Sequence, residues 1–309
     1  MIKIYNAAVY TNQYCRGQNK FNELEDHEKL KIYNASRGPV LESYHYVNKQ
    51  KFVDEMRADN AKIFLDSGAF SAWSLGVNIP IPEYCRYVNE NMDIIAKDGD
   101  TYLIAGMDGI GDPELTWQNL NLMWKHGVKG VPCFHLAEDE RYLEWYIKHY
   151  EYISLGGTVG ASLVKVRNWL DRVWSKYLVD GSGRPRIKVH GFGITSDKMI
   201  ERYPWHSVDS SLWIQAASFG MIVTEQFRNI TVSTNSPQKH VQGNHLANMT
   251  YEEQLVIAKI IHDAGFNYDR LSTVYQSRVA FNLWSMGEIM KTHNAKGCNM
   301  DFMKVQELF

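Results

Sequence analysis

Between Lys49 and Thr224 the chain alternates, with little interruption, between short apolar runs and longer amphipathic segments. The runs are Lys62–Asp66, Thr101–Met107, Val131–Leu136, Tyr152–Leu155, Arg186–His190 and Ser207–Asp209. They are too short for helices, and most are rich in Ile, Leu and Val, so they read as buried strands. The segments between them carry helical spacing: Lys49–Asn60, Pro82–Ala96, Pro113–His126, Asp139–His149, Val166–Tyr177 and Ser196–Arg202. Pro82 and Pro113 suit a first helical turn, with Asp112 as the cap before Pro113. Adding Ile2–Val9 before and Gly220–Thr224 after gives eight expected strands. Such a succession predicts an α/β fold, specifically a (β/α)8 TIM-type barrel with its core over about residues 1–228. The competing arrangement is a doubly wound sheet, but no G-x-G-x-x-G turn follows the first strand. The polar stretch Asn12–Val47 is too long for an ordinary link and reads as an irregular insertion near the active face. Asn229–Asn248 reads as a polar loop. Two C-terminal helices, Tyr251–Ala264 and Arg270–His293, fall in a helical part spanning about 249–309, the first opened by a Thr250/Glu253 capping box. Residues 1–309 are expected to form a single catalytic domain.

Composition narrows the class of protein. With 45% hydrophobic and 22% charged residues, the chain has ordinary soluble-globular usage. No stretch approaches the roughly 20 apolar residues of a membrane helix, and Met1-Ile2-Lys3-Ile4 does not open a signal peptide. The cysteines, Cys15, Cys85, Cys133 and Cys298, lack metal-type spacing, so reduced thiols in a cytoplasm are expected. No H-E-x-x-H pattern or phosphate loop occurs, and neither a metal nor a cofactor is expected. A net charge of −2 gives no global argument for a nucleic-acid partner. A local one exists between Lys165 and Lys188, where Arg167, Arg172 and Lys176 are interleaved with Trp169, Trp174 and Tyr177. The same spacing fits an amphipathic helix with Trp169, Leu170, Val173 and Trp174 packed inward.

The acids at the strand ends carry the functional signal. Asp66, Asp108 and Asp209 each stand where an apolar run gives way to a loop. If the strands are parallel, all three meet at the carboxyl face of the sheet, where α/β proteins place their chemistry. Each alone could be a cap; capping does not explain three at matching ends. Asp66 is followed by the small residues Ser67 and Gly68, which let backbone N–H groups approach a ligand. Gly156 and Gly157 end another run and either expose backbone to a flat ligand or make a tight turn. His135, with Glu138, and His190 stand at two further ends, either as satisfied polar groups or as substrate contacts.

The motifs together resemble tRNA-guanine transglycosylases. Asp66-Ser67-Gly68-Ala69-Phe70 is similar to that family's Asp-Ser-Gly-Gly-Phe/Tyr. His190-Gly191-Phe192-Gly193 is similar to its Phe/Met-Gly-Val-Gly, and Val208-Asp209-Ser210-Ser211 to its nucleophile region. Met107-Asp108 and Leu155-Gly156-Gly157 match the elements that read the base. The resemblance covers roughly residues 62–224, in order. It implies a (β/α)8 barrel that exchanges guanine for a 7-deazaguanine. It implies Asp209 as the nucleophile on the sugar C1′, Asp66 as general acid/base, and Asp108 with the backbone of Gly156 and Gly157 as base contacts. Nothing after Asp209 reproduces the family's Cys-x-Cys-x-x-Cys zinc motif. That departure points from tRNA towards DNA, as in the DpdA-type enzymes of phages and bacteria, with a cytoplasmic location (the host's, for a phage). The alternatives are a tRNA-guanine transglycosylase, a nucleoside or glycoside hydrolase using the same two carboxylates, and a non-catalytic nucleobase-binding barrel.

Overall fold

The computed structural model describes residues 1–14, 19–226, 228–240, 243 and 245–304. Its strands, in chain order, are β1 (Lys3–Ala7), β2 (Val40–Ser43), β3 (Ile63–Asp66), β4 (Lys97–Asp98), β5 (Thr101–Tyr102), β6 (Cys133–His135), β7 (Tyr152–Gly156), β8 (Lys188–Gly191), β9 (Ser207–Ser210), β10 (Met221–Thr224) and β11 (Arg228–Thr231). Seven of them form one curled parallel sheet in the order β3-β2-β1-β9-β8-β7-β6. A doubly wound sheet reverses its order near the middle; here β1 instead lies beside the last member of the set. Beyond the two ends of that order, Ile104 bridges Leu65 and Ala105 bridges Val131, both in parallel. These contacts are hydrogen-bonded: Ala105 N–H donates to Leu65 O at 2.8 Å, and Gly106 N–H to Val131 O at 2.8 Å.

The helices between the strands form as their spacing predicts. Leu163–Val173 buries Val166, Trp169, Leu170 and Val173, the i, i+3, i+4, i+7 stripe of one face. Pro113–Lys125 starts at Pro113, and Asp112 accepts from Leu115 N–H at 2.9 Å. Both halves of the Thr250/Glu253 capping box are present.

The concave side of the sheet is filled, not hollow. Strand alternation sends Tyr5, Leu41, Phe64 and Tyr152 inward, where they cluster with Leu103, Ala105 and Val131. The Phe64 ring lies 5.6 Å from Tyr5, 4.8 Å from His190 and 6.4 Å from Tyr152. Strands β3 and β7 are far apart in the sheet order, so only a strongly curled sheet brings their side chains together. Each such aromatic contributes on the order of 1.5–3 kcal/mol by leaving water.

An ion cluster sits at the amino-terminal end of this interior. Asp98, on β4, accepts from Lys3 Nζ at 2.7 Å and Lys188 Nζ at 2.6 Å, and pairs with His206 Nε2 at 2.7 Å. Burial alone would raise the Asp98 pKa. Hydrogen bonds from Lys188, Lys3 and His206 outweigh it and hold the carboxyl well below the usual range. The carboxyl therefore contributes stability above its ordinary pKa of 3.8, and that contribution is lost as the pH falls. Asp98→Asn is expected to cost about 2 kcal/mol at pH 7, allowing for the solvent around both lysines. Urea unfolding of both proteins checks this, and the difference should shrink below about pH 4.

Three expected elements differ. The Asn12–Val47 stretch is not an irregular insertion: its described residues hold the helix Asp26–Ser36 and the sheet strand β2. Glu42 hid that strand, being a charged residue in a run of only four. It is fully buried and accepts from Tyr10 N–H at 2.6 Å and from Thr11 Oγ1 at 2.8 Å. Burial pushes it up to about 7 in spite of those bonds. Gly220–Thr224 does hold a strand, but β10 pairs antiparallel with β11 outside the sheet. The Asn282 amide holds it there from the helix Tyr275–Lys296, accepting from Val223 N–H at 2.8 Å and donating to Trp213 O at 3.0 Å and Met221 O at 3.2 Å. The expected Arg270–His293 helix is divided into Tyr268–Thr273 and Tyr275–Lys296.

Candidate active site

Asp66 closes β3 with its carboxylate turned back on the chain. Its Oδ2 accepts from Gly68 N–H at 3.0 Å. Gly68 has φ +77°, and a Cβ there would come 2.6 Å from His45 Cβ and 2.8 Å from Ser43 Oγ. Only glycine fits that turn. Ser67 is buried within it. Burial pushes Asp66 up to about 6; the charge of Asp108 adds to this, and that of Asp209 adds further, against the Gly68 bond. The charges of Asp108 and Asp209, from separate segments, thus both reach Asp66 at the carboxyl ends of the strands.

Asp108 follows the bridging segment. Its Oδ2 lies 3.4 Å from His135 Nε2, while its Oδ1 is buried without a hydrogen-bond partner. His135 ends β6, and Glu138 clamps it: Oε2 accepts the His135 backbone N–H at 2.9 Å and Oε1 lies 2.9 Å from Nδ1. Burial disfavours a charged imidazole here, but the Asp108 carboxylate beside Nε2 acts against it and pushes His135 above its ordinary range. With a carboxylate at each ring nitrogen, the imidazolium is the state that satisfies both. Asp108 Oδ1 is left as the unpartnered acceptor of this cluster, since both ring nitrogens of His135 already face carboxylates.

Gly156 pairs in register with His135. A Cβ on Gly156 would sit 2.9 Å from Cys133 Sγ, and one on Gly157 would sit 2.8 Å from His135 Cβ. Gly156 is required by the close approach of Cys133, and Gly157 by that of His135.

Asp209 lies on β9, opposite Tyr5 of β1, and is 9% exposed. Its Oδ1 accepts from Gly193 N–H at 2.8 Å and lies 3.3 Å from His190 Nε2. His190 is fully buried, beneath Asp209 rather than on an open wall. Its Nδ1 lies 2.6 Å from Ser207 Oγ, itself 2.6 Å from Tyr152 Oη. Sequence reasoning gave no role to Tyr152 and Ser207, and met Gly193 only as part of a motif. A signal for two of them was present: on β9 Ser207 has the inward parity of Asp209, and Tyr152 has the parity of Gly156 on β7.

Asp108, Cys133 and His135 offer donor atoms within 4.8 Å of one another, so they could hold a cation. Burial pushes the Cys133 thiol up, and His135 Nε2 already faces Asp108, an arrangement of paired charges more than of metal ligands. Glu25, His27 and Glu28 form a second such group, but Glu28 is spent on Arg270 at 2.6 Å.

The basic stretch is divided. Arg172 and Lys176 are tied to Glu140 at 3.0 and 2.8 Å. Arg167 is exposed and, among the described residues, has no ion pair. It lies in the second turn of the helix that follows the Gly156-Gly157 turn. Two clefts, of about 640 and 560 Å3, open at the opposite end of the sheet beside Lys188 and His206, and beside Thr101 and Val131; neither includes the three acids. Among the described residues no helix is long and apolar enough to cross a membrane. No protein-family model matches the chain, and no curated protein matches it.

Proposed function

We propose that the protein is a base-exchange transglycosylase that replaces guanine in DNA with a 7-deazaguanine through a covalent glycosyl-aspartate. The observation that carries this reading is three carboxyls at the carboxyl ends of parallel strands, two of which act electrostatically on the third. Asp209 accepts from Gly193 N–H beside His190, and Asp66 is pushed up to about 6, where it can both give and take a proton near neutrality. Asp209 attacks C1′ of the sugar; the C1′–N9 bond breaks, and Asp66 protonates the departing guanine. After guanine leaves, Asp66 takes the ring N–H proton of the incoming deazaguanine. That nitrogen attacks C1′, and the bond to Asp209 breaks. Asp108 Oδ1 is an unpartnered acceptor that complements an N–H on the edge of a guanine-type base.

The bridges of Ile104 and Ala105 to β3 and to Val131 support reading the curled sheet as a closed (β/α)8 barrel, with 103–106 as its fourth strand. The missing zinc motif favours DNA over tRNA. A duplex nucleotide reaches such a site only by flipping, and Arg167 is the cation best placed to hold the flanking backbone. The test is incubation of the protein with DNA or tRNA plus labelled 7-deazaguanine bases, followed by nucleoside mass spectrometry. Label in DNA nucleosides is the expected result. Label in tRNA alone refutes the polymer, and free guanine released without incorporation refutes exchange in favour of hydrolysis.

A further inference from the structure

The buried groups beneath Asp209 form a directed chain. Tyr152 Oη, Ser207 Oγ and His190 Nδ1 follow one another at 2.6 Å each, and the opposite ring nitrogen, Nε2, faces Asp209 Oδ1 at 3.3 Å. Tyr152 is 1% exposed, and Ser207 and His190 are fully buried, so water does not complete their hydrogen bonds. His190 Nε2 makes no aligned hydrogen bond in this structure, its 3.3 Å approach to Asp209 included.

Counting hydrogens sets the direction. A phenol, an alcohol and a neutral imidazole bring one hydrogen each to this row. If Tyr152 donates to Ser207 and Ser207 donates to His190 Nδ1, the imidazole hydrogen is on Nε2 and points at Asp209. In the reverse direction the Tyr152 hydrogen has no acceptor, and a bare Nε2 lone pair faces a carboxylate oxygen. Burial makes both faults costly, on the order of 1–3 kcal/mol for a lost partner. The forward direction pairs Tyr152, Ser207 and Nδ1, and leaves only the Nε2–H to align with Asp209.

We propose that His190 is a positioning residue for Asp209, held as its Nε2–H tautomer by Ser207 and Tyr152. Together with Gly193 N–H it fastens Oδ1, so that Oδ2 is the oxygen presented to the sugar. The inference rests on the exchange reading above. In the step it serves, Oδ2 forms the bond to C1′ while the C1′–N9 pair leaves with the base. His190 transfers no proton. It holds Oδ1, which becomes the ester carbonyl and regains negative charge when C1′ departs. Donors already aimed at a site of developing charge act there without reorganisation. The 3.3 Å separation is long for such a bond, as is common before substrate binds.

The experiment has two readouts. The first is the His190 tautomer, read from imidazole 15N shifts and assigned by comparison with His190→Gln. A neutral Nε2–H ring is expected in the wild-type protein, and Ser207→Ala should release that preference. An Nδ1–H or doubly protonated ring in the wild type overturns the proposal, whatever the activity. The second is exchange kinetics of Ser207→Ala and the milder Tyr152→Phe. For Ser207→Ala, kcat should fall about 10-fold or more, with KM for the base unchanged and the pH profile displaced. Unchanged kcat in a folded Ser207→Ala protein also overturns the proposal. Absence of exchange in the wild type, with the tautomer as expected, refutes the exchange reading and not the hydrogen-bonded row.

Discussion

Asp209→Asn is expected to abolish base exchange, by roughly 10^4-fold or more in kcat, while leaving the fold and the binding of free base intact. The amide has nearly the shape of the carboxylate and can still accept from Gly193 N–H, so the loss isolates nucleophilicity. Asp108→Asn should behave differently. It replaces a pure acceptor with a mixed donor and acceptor beside the His135 donor, so base affinity should fall by about 10-fold or more. Stopped-flow exchange and equilibrium titration of the labelled base, run on both variants, separate the two roles. Turnover by the Asp209 variant near the wild-type rate would falsify the covalent mechanism and restore the non-catalytic binding barrel as the better reading.

The second large effect concerns Asp66, where activity and stability should move in opposite directions. Asp66→Asn removes the proton carrier and is expected to lower kcat by about 10^2–10^4-fold. In the wild type, exchange that begins with protonated Asp66 should decline as the pH rises through about 6. Stability follows from the same displacement, from 3.8 to about 6. A carboxyl whose pKa is raised on folding favours the native state fully below its ordinary value, and the benefit is lost as the pH rises through the folded one. At pH 8 the ionised group, crowded by Asp108 and Asp209, costs on the order of 2 kcal/mol after allowance for its partial exposure. The Asn variant should therefore be more stable than wild type at pH 8 and equal to it near pH 3.5. Urea midpoints at the two pH values decide this. Equal stability at both would mean that the three acids do not crowd one another in solution.

Much of the frame was legible because periodicity reports burial. The runs ending at Asp66, Leu136, Leu155, His190 and Asp209 all overlap parallel strands of the sheet. Strand β2 was not legible, since its buried Glu42 is satisfied by Tyr10 and Thr11, residues about thirty positions earlier in the chain. β10 was legible as a strand but not in its pairing, because that depends on Asn282 in a distant helix. In the site, the three acids announced themselves by position alone. The roles of Tyr152 and Ser207 did not, since a tyrosine and a serine on strands look like ordinary filling until parity and distance place them in one row with His190. The Arg172 and Lys176 charges looked free in the sequence, and their partner Glu140 belongs to the preceding helix.

The position of β1 has a kinetic consequence. Tyr5 pairs in register with Asp209, and Asn6 with Ser210, so strands separated by about two hundred residues are neighbours. Contacts of such sequence separation form late, because a long loop must close before they repay its entropy. On the ribosome β1 emerges first and must wait for β9, leaving one edge unpaired while the intervening helices and strands are made. The surroundings of Asp209 are therefore assembled only when the first and last strands of the sheet, in chain order, meet. Nascent chains should lack that arrangement until β9 has left the ribosome, which ties its appearance to completion of the sheet.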